Sequence, residues 1–196
     1  MSGSPFDIEL DEMTLARARR GNLSACEVIY RKFSSPSFSV AYRICQNREM
    51  AQEIAQEAFI TAFRKLRQFR GDAPFWGWLR RVVVNHAISA IRKESKTETI
   101  EFQEYHVSEQ GGQEQTGLAM DLEGALGQLK KQDRAVVWLH DVEGYSHKEI
   151  AKLFGKTESF SKTRLSRARA QLRDLLDKVH TPVASARSAG ARHQTS

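Results

Sequence analysis

Only two cysteines, Cys26 and Cys45, occur in the 196 residues, too few and too far apart for a disulfide framework or a zinc motif. Both read as small buried hydrophobes in a reducing compartment. No run of about 18 apolar residues exists, which excludes a membrane-spanning helix. The opening segment, "MSGSPFDIELDEM", is acidic and lacks the charged-then-apolar pattern of a secretory signal, so a cytoplasmic location is expected. Nor is there a nucleophile–base pair, a phosphate-cradling glycine loop or a metal-ligand cluster. No catalytic residue, metal or cofactor is therefore expected. Convincing strands and long internal repeats are missing too, which leaves an all-α fold.

What is present is positive charge, unevenly placed. Lysine and arginine number 30 against 24 acidic residues, a formal net charge of +6, which favours polyanions or acidic surfaces as partners. Basic residues are in excess from Met1 to Lys93 and again from Ala125 to Lys178. Between them, Glu94, Glu98, Glu101, Glu104, Glu109, Glu114, Asp121 and Glu123 stand against Lys96 alone. That acidic stretch, with Gly111 and Gly112 and few apolar anchors, reads as a flexible linker over residues 94–120. It separates two small helical domains, residues 12–93 and 121–178. Residues 1–11 are an extension, and the polar segment 179–196 reads as a disordered tail.

Helical periods fill both blocks. Met50, Ile54, Ala58, Phe59, Ala62, Phe63 and Leu66 recur at three- and four-residue steps, and Gly71 is the next breaker. Leu79, Val82, Val83, Ala87, Ile88 and Ile91 form the inner stripe of another helix. Gly21 and Asn22 mark a boundary between two earlier ones. In the second block, Ser146 and Glu149 make a capping box, Ile150, Ala151, Leu153 and Phe154 give a buried side, and Gly155 is placed for an exit turn. A longer basic helix then runs from Thr157 or Glu158 to about Leu176, completing a helix-turn-helix. The segment "GALGQLKKQDRAVVWLHDV" reads as one supporting helix.

On the longer helix, Leu165, Ala168, Leu172 and Leu175 share one side, leaving Ser159, Lys162, Thr163 and Ser166 opposite. Lys156, Lys162, Arg164 and Arg167 can neutralise phosphates while Ser159 and Thr163 reach base edges, a duplex-reading arrangement. A solvated charged face is the plain alternative; the cap, the turn glycine and the one-sided charge together favour DNA. His140 and His147 do not fall on one helical turn as a metal pair would, and read as surface or capping residues.

Residues 69–93, "FRGDAPFWGWLRRVVVNHAISAIRK", pose a different question. Phe69, Phe75, Trp76 and Trp78 lie within ten positions, interleaved with Arg70, Arg80 and Arg81. Rings that stack on bases beside cations that follow phosphates suit single-stranded DNA. Burial between helices accounts equally well for any one ring. Segment 71–74 reads as a loop that can form a pocket for an unstacked base.

Taken in order, these segments resemble an extracytoplasmic-function (ECF) sigma factor over residues 12–177. "EIAQEAF" at 53–59 is similar to the family's polymerase-docking helix. Phe69, Trp78, Leu79, Asn85 and Arg92 match its Phe…Trp-Leu…Asn…Arg signature, and "GYSHKEIAKLFG" with "SKTRLSRARAQLR" resembles its C-terminal helix-turn-helix. Two departures stand out. Ser161 falls where the family pattern has a core valine, with Phe160 placed to rotate in, and "PFWGW" carries an extra tryptophan and a glycine.

The resemblance implies a transcription initiation factor. Glu53, Gln56 and Glu57 would dock on the beta-prime clamp of core RNA polymerase. Arg70, Asp72, Phe75, Trp76, Trp78, Arg80, Arg81 and Asn85 would hold the opened minus-ten strand. Residues 121–178 would read the minus-thirty-five duplex, and the linker would thread through the polymerase toward the active site and the RNA exit path. The beta subunit would be a further partner, and an anti-sigma factor would hold the chain silent. A ligand-sensing or dimerising operator-binding regulator is the competing reading, but it leaves Glu53, Gln56, Trp78 and Asn85 without a role.

Overall fold

Three short polar side chains start the first three helices. Asp11 accepts from the amide of Thr14 at 2.7 Å and opens α1, Glu12–Arg19. Asn22 accepts from Ala25 N at 2.9 Å and opens α2, Leu23–Cys45. Asn47 accepts from Met50 N at 2.9 Å and opens α3, Arg48–Lys65. Each oxygen satisfies an amide that the first helical turn leaves without a partner. The computed structural model describes residues 8–97 and 117–180.

Helix α2 runs through Pro36, which cannot donate to the preceding turn. Burial on both sides of the proline, by Phe33, Ser37, Val40, Ala41 and Ile44, holds the helix continuous. Gln46 ends it in the left-handed conformation, φ 53°. Helix α3 tightens into a 3₁₀ turn, Leu66–Gln68, and a loop over residues 69–74 leads to α4, Phe75–Thr97. Helices α2, α3 and α4 pack as a bundle with α1 laid on α2. Ile29, Phe33, Ile44, Leu66, Leu79, Val83, Val84, Ile88 and Ile91 are fully buried there. The expected stripes of α3 and α4 are therefore the packed ones, with Met50, Phe63 and Val82 half-buried at the margin.

The second unit holds α5, Gly117–Gly127, α6, Lys131–Val137, α7, His147–Phe154, and α8, Glu158–His180. The expected single supporting helix is broken into α5 and α6. Its break at Gln128–Lys130 is held by Arg134, which donates to the carbonyls of Gly127 at 3.5 Å and Leu129 at 3.3 Å. Helix α6 then widens into a π-helical turn, Trp138–Val142, where Glu143 N reaches back to Trp138 O at 3.0 Å. Among the described residues there is no strand, and no helix is long and apolar enough to cross a membrane. The all-α expectation stands.

The two units are packed against each other. Helix α6 lies on α2 and α4, and α7 lies on α4. One hydrophobic cluster runs through both units. At the centre of the seam Arg134, 4% exposed, also donates to Ile44 O at 3.2 Å and Cys45 O at 2.7 Å. Burial lowers its proton affinity, yet its acceptors are the carbonyl ends of α2 and α5, where helix dipoles favour a cation. Around it Lys131 pairs with Glu94, Gln132 donates to Ser95 Oγ at 2.9 Å, and Arg43 stands 5.1 Å over the Trp138 ring. Glu94 and Ser95 were expected in the linker; instead they are helical and belong to this seam. Residues 98–116 of the expected linker and 181–196 of the expected tail lie outside the described residues.

Candidate nucleic-acid interface

Gly71, φ 88°, turns the chain after the 3₁₀ turn, and the exposed loop 71–74 leads into α4 as expected. The aromatic cluster divides at this point. Phe69, Phe75 and Trp76 are 6, 5 and 3% exposed, and Trp78 is half-buried. Phe33 of α2 takes Phe75 edge-on at 5.2 Å and stacks on Trp76 at 5.8 Å. Phe75 and Trp76 are thus core residues here, a correction to their expected place on the strand. A base could reach either ring only by unpacking the bundle.

Trp78 leans on Phe69 at 5.3 Å and Phe75 at 5.6 Å, so the core orients a ring that still reaches the surface. It sits between two clefts. One, of about 450 Å³, is walled by Arg70, Asp72, Arg80 and Arg81 on one side and by Glu143, Tyr145 and Glu149 on the other. The second, of about 480 Å³, is lined by Thr61, Lys65, Gln68, Val82, Asn85 and His86. Trp78, Gln68 and Arg81 line both. Arg70, Asp72, Arg81 and Asn85 are exposed, whereas Arg80 is half-buried and its Nε lies 3.1 Å from Glu143 Oε2. Burial raises the Tyr145 hydroxyl's pKa, helped by Glu143, so it stays a neutral donor.

Sequence reasoning missed Thr61, Lys65, Gln68 and His86. Thr61 Oγ1 and His86 Nε2 lie 2.9 Å apart, and burial lowers the imidazole's pKa. The available signal was spacing: Lys65 ends α3 and Gln68 follows three residues later at the end of the 3₁₀ turn, beside the aromatic loop.

Glu53, Gln56 and Glu57 are all exposed on one outward face of α3. Their i, i+3, i+4 spacing brings the three together. Exposed Ile60 continues that face by one turn.

In the second unit the capping box is complete: Ser146 Oγ accepts from Glu149 N at 3.3 Å, and Glu149 Oε2 accepts from Ser146 N at 2.9 Å. Hydrogen bonds from Ser146 hold the Glu149 carboxyl below its ordinary pKa. Gly155 takes φ 62°, and a Cβ there would meet an Arg92 guanidinium nitrogen at 3.2 Å. Arg92 itself donates to Leu153 O at 3.1 Å. Gly155→Ala is expected to cost about 1–2 kcal/mol by the left-handed backbone alone, read as a lower urea midpoint.

Along α8, Ser159, Lys162, Thr163, Ser166 and Arg167 are exposed, and Lys156 precedes them at the turn, also exposed. Arg164 departs from the expected set. Its Nη1 pairs with Asp133 at 2.8 Å and its guanidinium lies 4.9 Å over Phe160, tying α8 to α6. It is engaged inside the unit, which removes it from the phosphate-facing group. Ser161 is fully buried, and its hydroxyl is 3.0 Å from His147 Nδ1. Phe160 meets Phe154 at 5.3 Å, as expected of a ring rotated inward. His140 and His147 stack at 4.6 Å, a contact their spacing hid; burial, then the neighbouring His140, lowers the pKa of His147. Among the described residues no group of three or more potential ligands is placed to hold a metal ion.

Fold and site together define a two-unit, all-α protein whose second unit is a helix-turn-helix. The sigma-70 region 2 family matches residues 29–97, and the sigma-70 region 4 family matches residues 119–172. The ECF RNA polymerase sigma factor SigM of Mycobacterium tuberculosis is 31% identical over 174 residues, covering 88% of each chain. The RNA polymerase sigma-H factor of Pseudomonas aeruginosa is 28% identical, over 89% of this chain and 96% of its own. The Bartonella quintana sigma factor RpoE, solved with the anti-sigma factor NepR, is similar in fold. Its TM-score is 0.53 at 22% identity, covering 77% of this chain and 96% of that one.

The chain belongs to the ECF RNA polymerase sigma factors and is a DNA-binding transcription initiation factor.

Proposed function

We propose that the division of labour runs along the two units. The exposed Glu53, Gln56 and Glu57 face of α3 docks on the clamp of core polymerase. Trp78, Arg70, Asp72, Arg80, Arg81 and Asn85 hold the opened minus-ten strand. Lys156, Ser159, Lys162, Thr163 and Arg167 read the minus-thirty-five duplex. The observation that carries this reading is Trp78 standing between two clefts that share Arg81, the first of them also rimmed by Arg70 and Arg80. A ring presented at the surface, with cations within reach of a strand's phosphates, is what stacking recognition requires. Residues 12–97 and 117–178 are the working units, and the acidic segment between them makes promoter spacing part of the readout by setting their effective concentration. Restraint by an anti-sigma factor, the partner in the Bartonella quintana complex, and action in the cytoplasm complete the reading. Chemistry on nucleotides is left to the polymerase.

The test is reconstitution with core polymerase on a promoter mapped from transcription start sites after overexpression. Promoter-specific initiation is expected, and a correctly folded chain that never associates with core polymerase would sink the reading. Lys162→Ala and Arg167→Ala should each lower the salt slope of duplex binding by about 0.9. Arg164→Ala should leave that slope nearly unchanged and lower the melting temperature instead, because its charge is spent on Asp133.

A further inference from the structure

The first cleft, of about 450 Å³, has one wall from each unit. Glu143 supplies the centre of the second wall, and its side chain is 1% exposed. One carboxylate oxygen accepts from Trp138 Nε1 at 3.2 Å, and the other faces Arg80 Nε at 3.1 Å. The π-helical turn and Gly144, φ 73°, aim it there, and Tyr145 N closes the turn on Leu139 O at 2.8 Å. Other seam contacts hold the second unit against the first: Arg134 reaches α2, while Lys131 pairs with Glu94 and Leu153 O accepts from Arg92, both on α4. A phosphate oxygen pairing with Arg80 Nε would need the position that the carboxylate occupies. On α8, by contrast, Lys156, Lys162, Thr163 and Arg167 stay exposed in the same arrangement.

We propose that the free chain's helix-turn-helix unit occupies its own single-strand cleft: Glu143 stands in for a strand phosphate at Arg80, closing that cleft while the duplex-reading face stays open. This rests on the reading of the Trp78 and Arg80 clefts as the strand site. The chain then meets duplex and single strand with unequal readiness, and strand capture requires the two units to part. The fraction of chains with parted units scales the apparent strand affinity directly.

Glu143→Gln tests this, since glutamine can keep the acceptor for Trp138 and removes the charge facing Arg80. Binding of the full chain is measured against a fluorescein-labelled single strand of about 12 mixed-sequence nucleotides, and against its duplex. Glu12→Gln, an exposed position on α1, supplies the same charge change elsewhere. The expected result for Glu143→Gln is about 5–10-fold tighter strand binding with duplex binding unchanged, as for release of a partly closed population. Glu12→Gln should move neither. Arg134→Met, remote from Arg80, should give the same selective gain together with a larger radius of gyration by X-ray scattering. Equal gains on strand and duplex would mean general electrostatics, and no gain in either variant would mean a permanently open cleft; each overturns the proposal. Core polymerase association, measured on the same samples, separates the two readings. Its loss in the unsubstituted chain counts against the proposed function, whereas intact association with unchanged strand affinity counts against the latch alone.

Discussion

Replacing Arg134 by methionine is expected to split one cooperative urea transition into two and to lower the first midpoint. The guanidinium is buried at the seam and donates to Ile44 O, Cys45 O, Gly127 O and Leu129 O. Removing it leaves those carbonyls either unsatisfied, at about 1–3 kcal/mol for a buried group, or hydrated by parting the units. Either outcome is large against a domain stability of about 5–15 kcal/mol. Lysine should not rescue the loss, because its donors radiate from one nitrogen and cannot span two helix ends as the planar fork does. A single transition with an unchanged midpoint in Arg134→Met would show that the seam contributes nothing to cooperativity.

Arg134 also shows where the sequence stopped being legible. In the basic block it is one cation among many, and nothing local marks it as buried. Two of its four acceptors, Ile44 O and Cys45 O, come from a helix end some ninety residues earlier in the chain. The split between α5 and α6 was hidden for the same reason, since the arginine that stabilises the break lies beyond it. Arg164 likewise matched the phosphate-facing pattern, and only Asp133 and Phe160 reveal its other use.

Local devices were readable. The Ser146–Glu149 box, the Gly155 turn and the Asn22 boundary each involve groups within four residues of one another, so spacing alone specifies them. The buried stripes of α3, α4 and α8 were readable because the helical period leaves little freedom about which side packs. Pro36 is the opposite case: locally a breaker, it is overruled by the burial of Phe33 and Val40 on either side.

The aromatic cluster falls between these extremes, and it yields the sharpest mutational contrast. Phe75→Ala should unfold or nearly unfold the first unit, at about 3–5 kcal/mol, because it leaves a cavity beside Phe33, Phe69 and Trp78. Trp78→Ala removes a half-buried ring from the edge of that cluster. Its stability cost should therefore be smaller, leaving a folded chain that still binds core polymerase through α3. Open-complex formation, followed by permanganate reactivity of unpaired thymines, should nonetheless fall on the order of 10–100-fold, the equivalent of losing about 1–3 kcal/mol of base stacking. Trp78→Phe keeps a ring against Phe69 and Phe75 and should recover most of the lost opening. If Trp78→Ala costs as much stability as Phe75→Ala, the ring is core in function as well as in contact. Strand capture would then have to be assigned to Arg81, Asn85 and the polar lining of the second cleft.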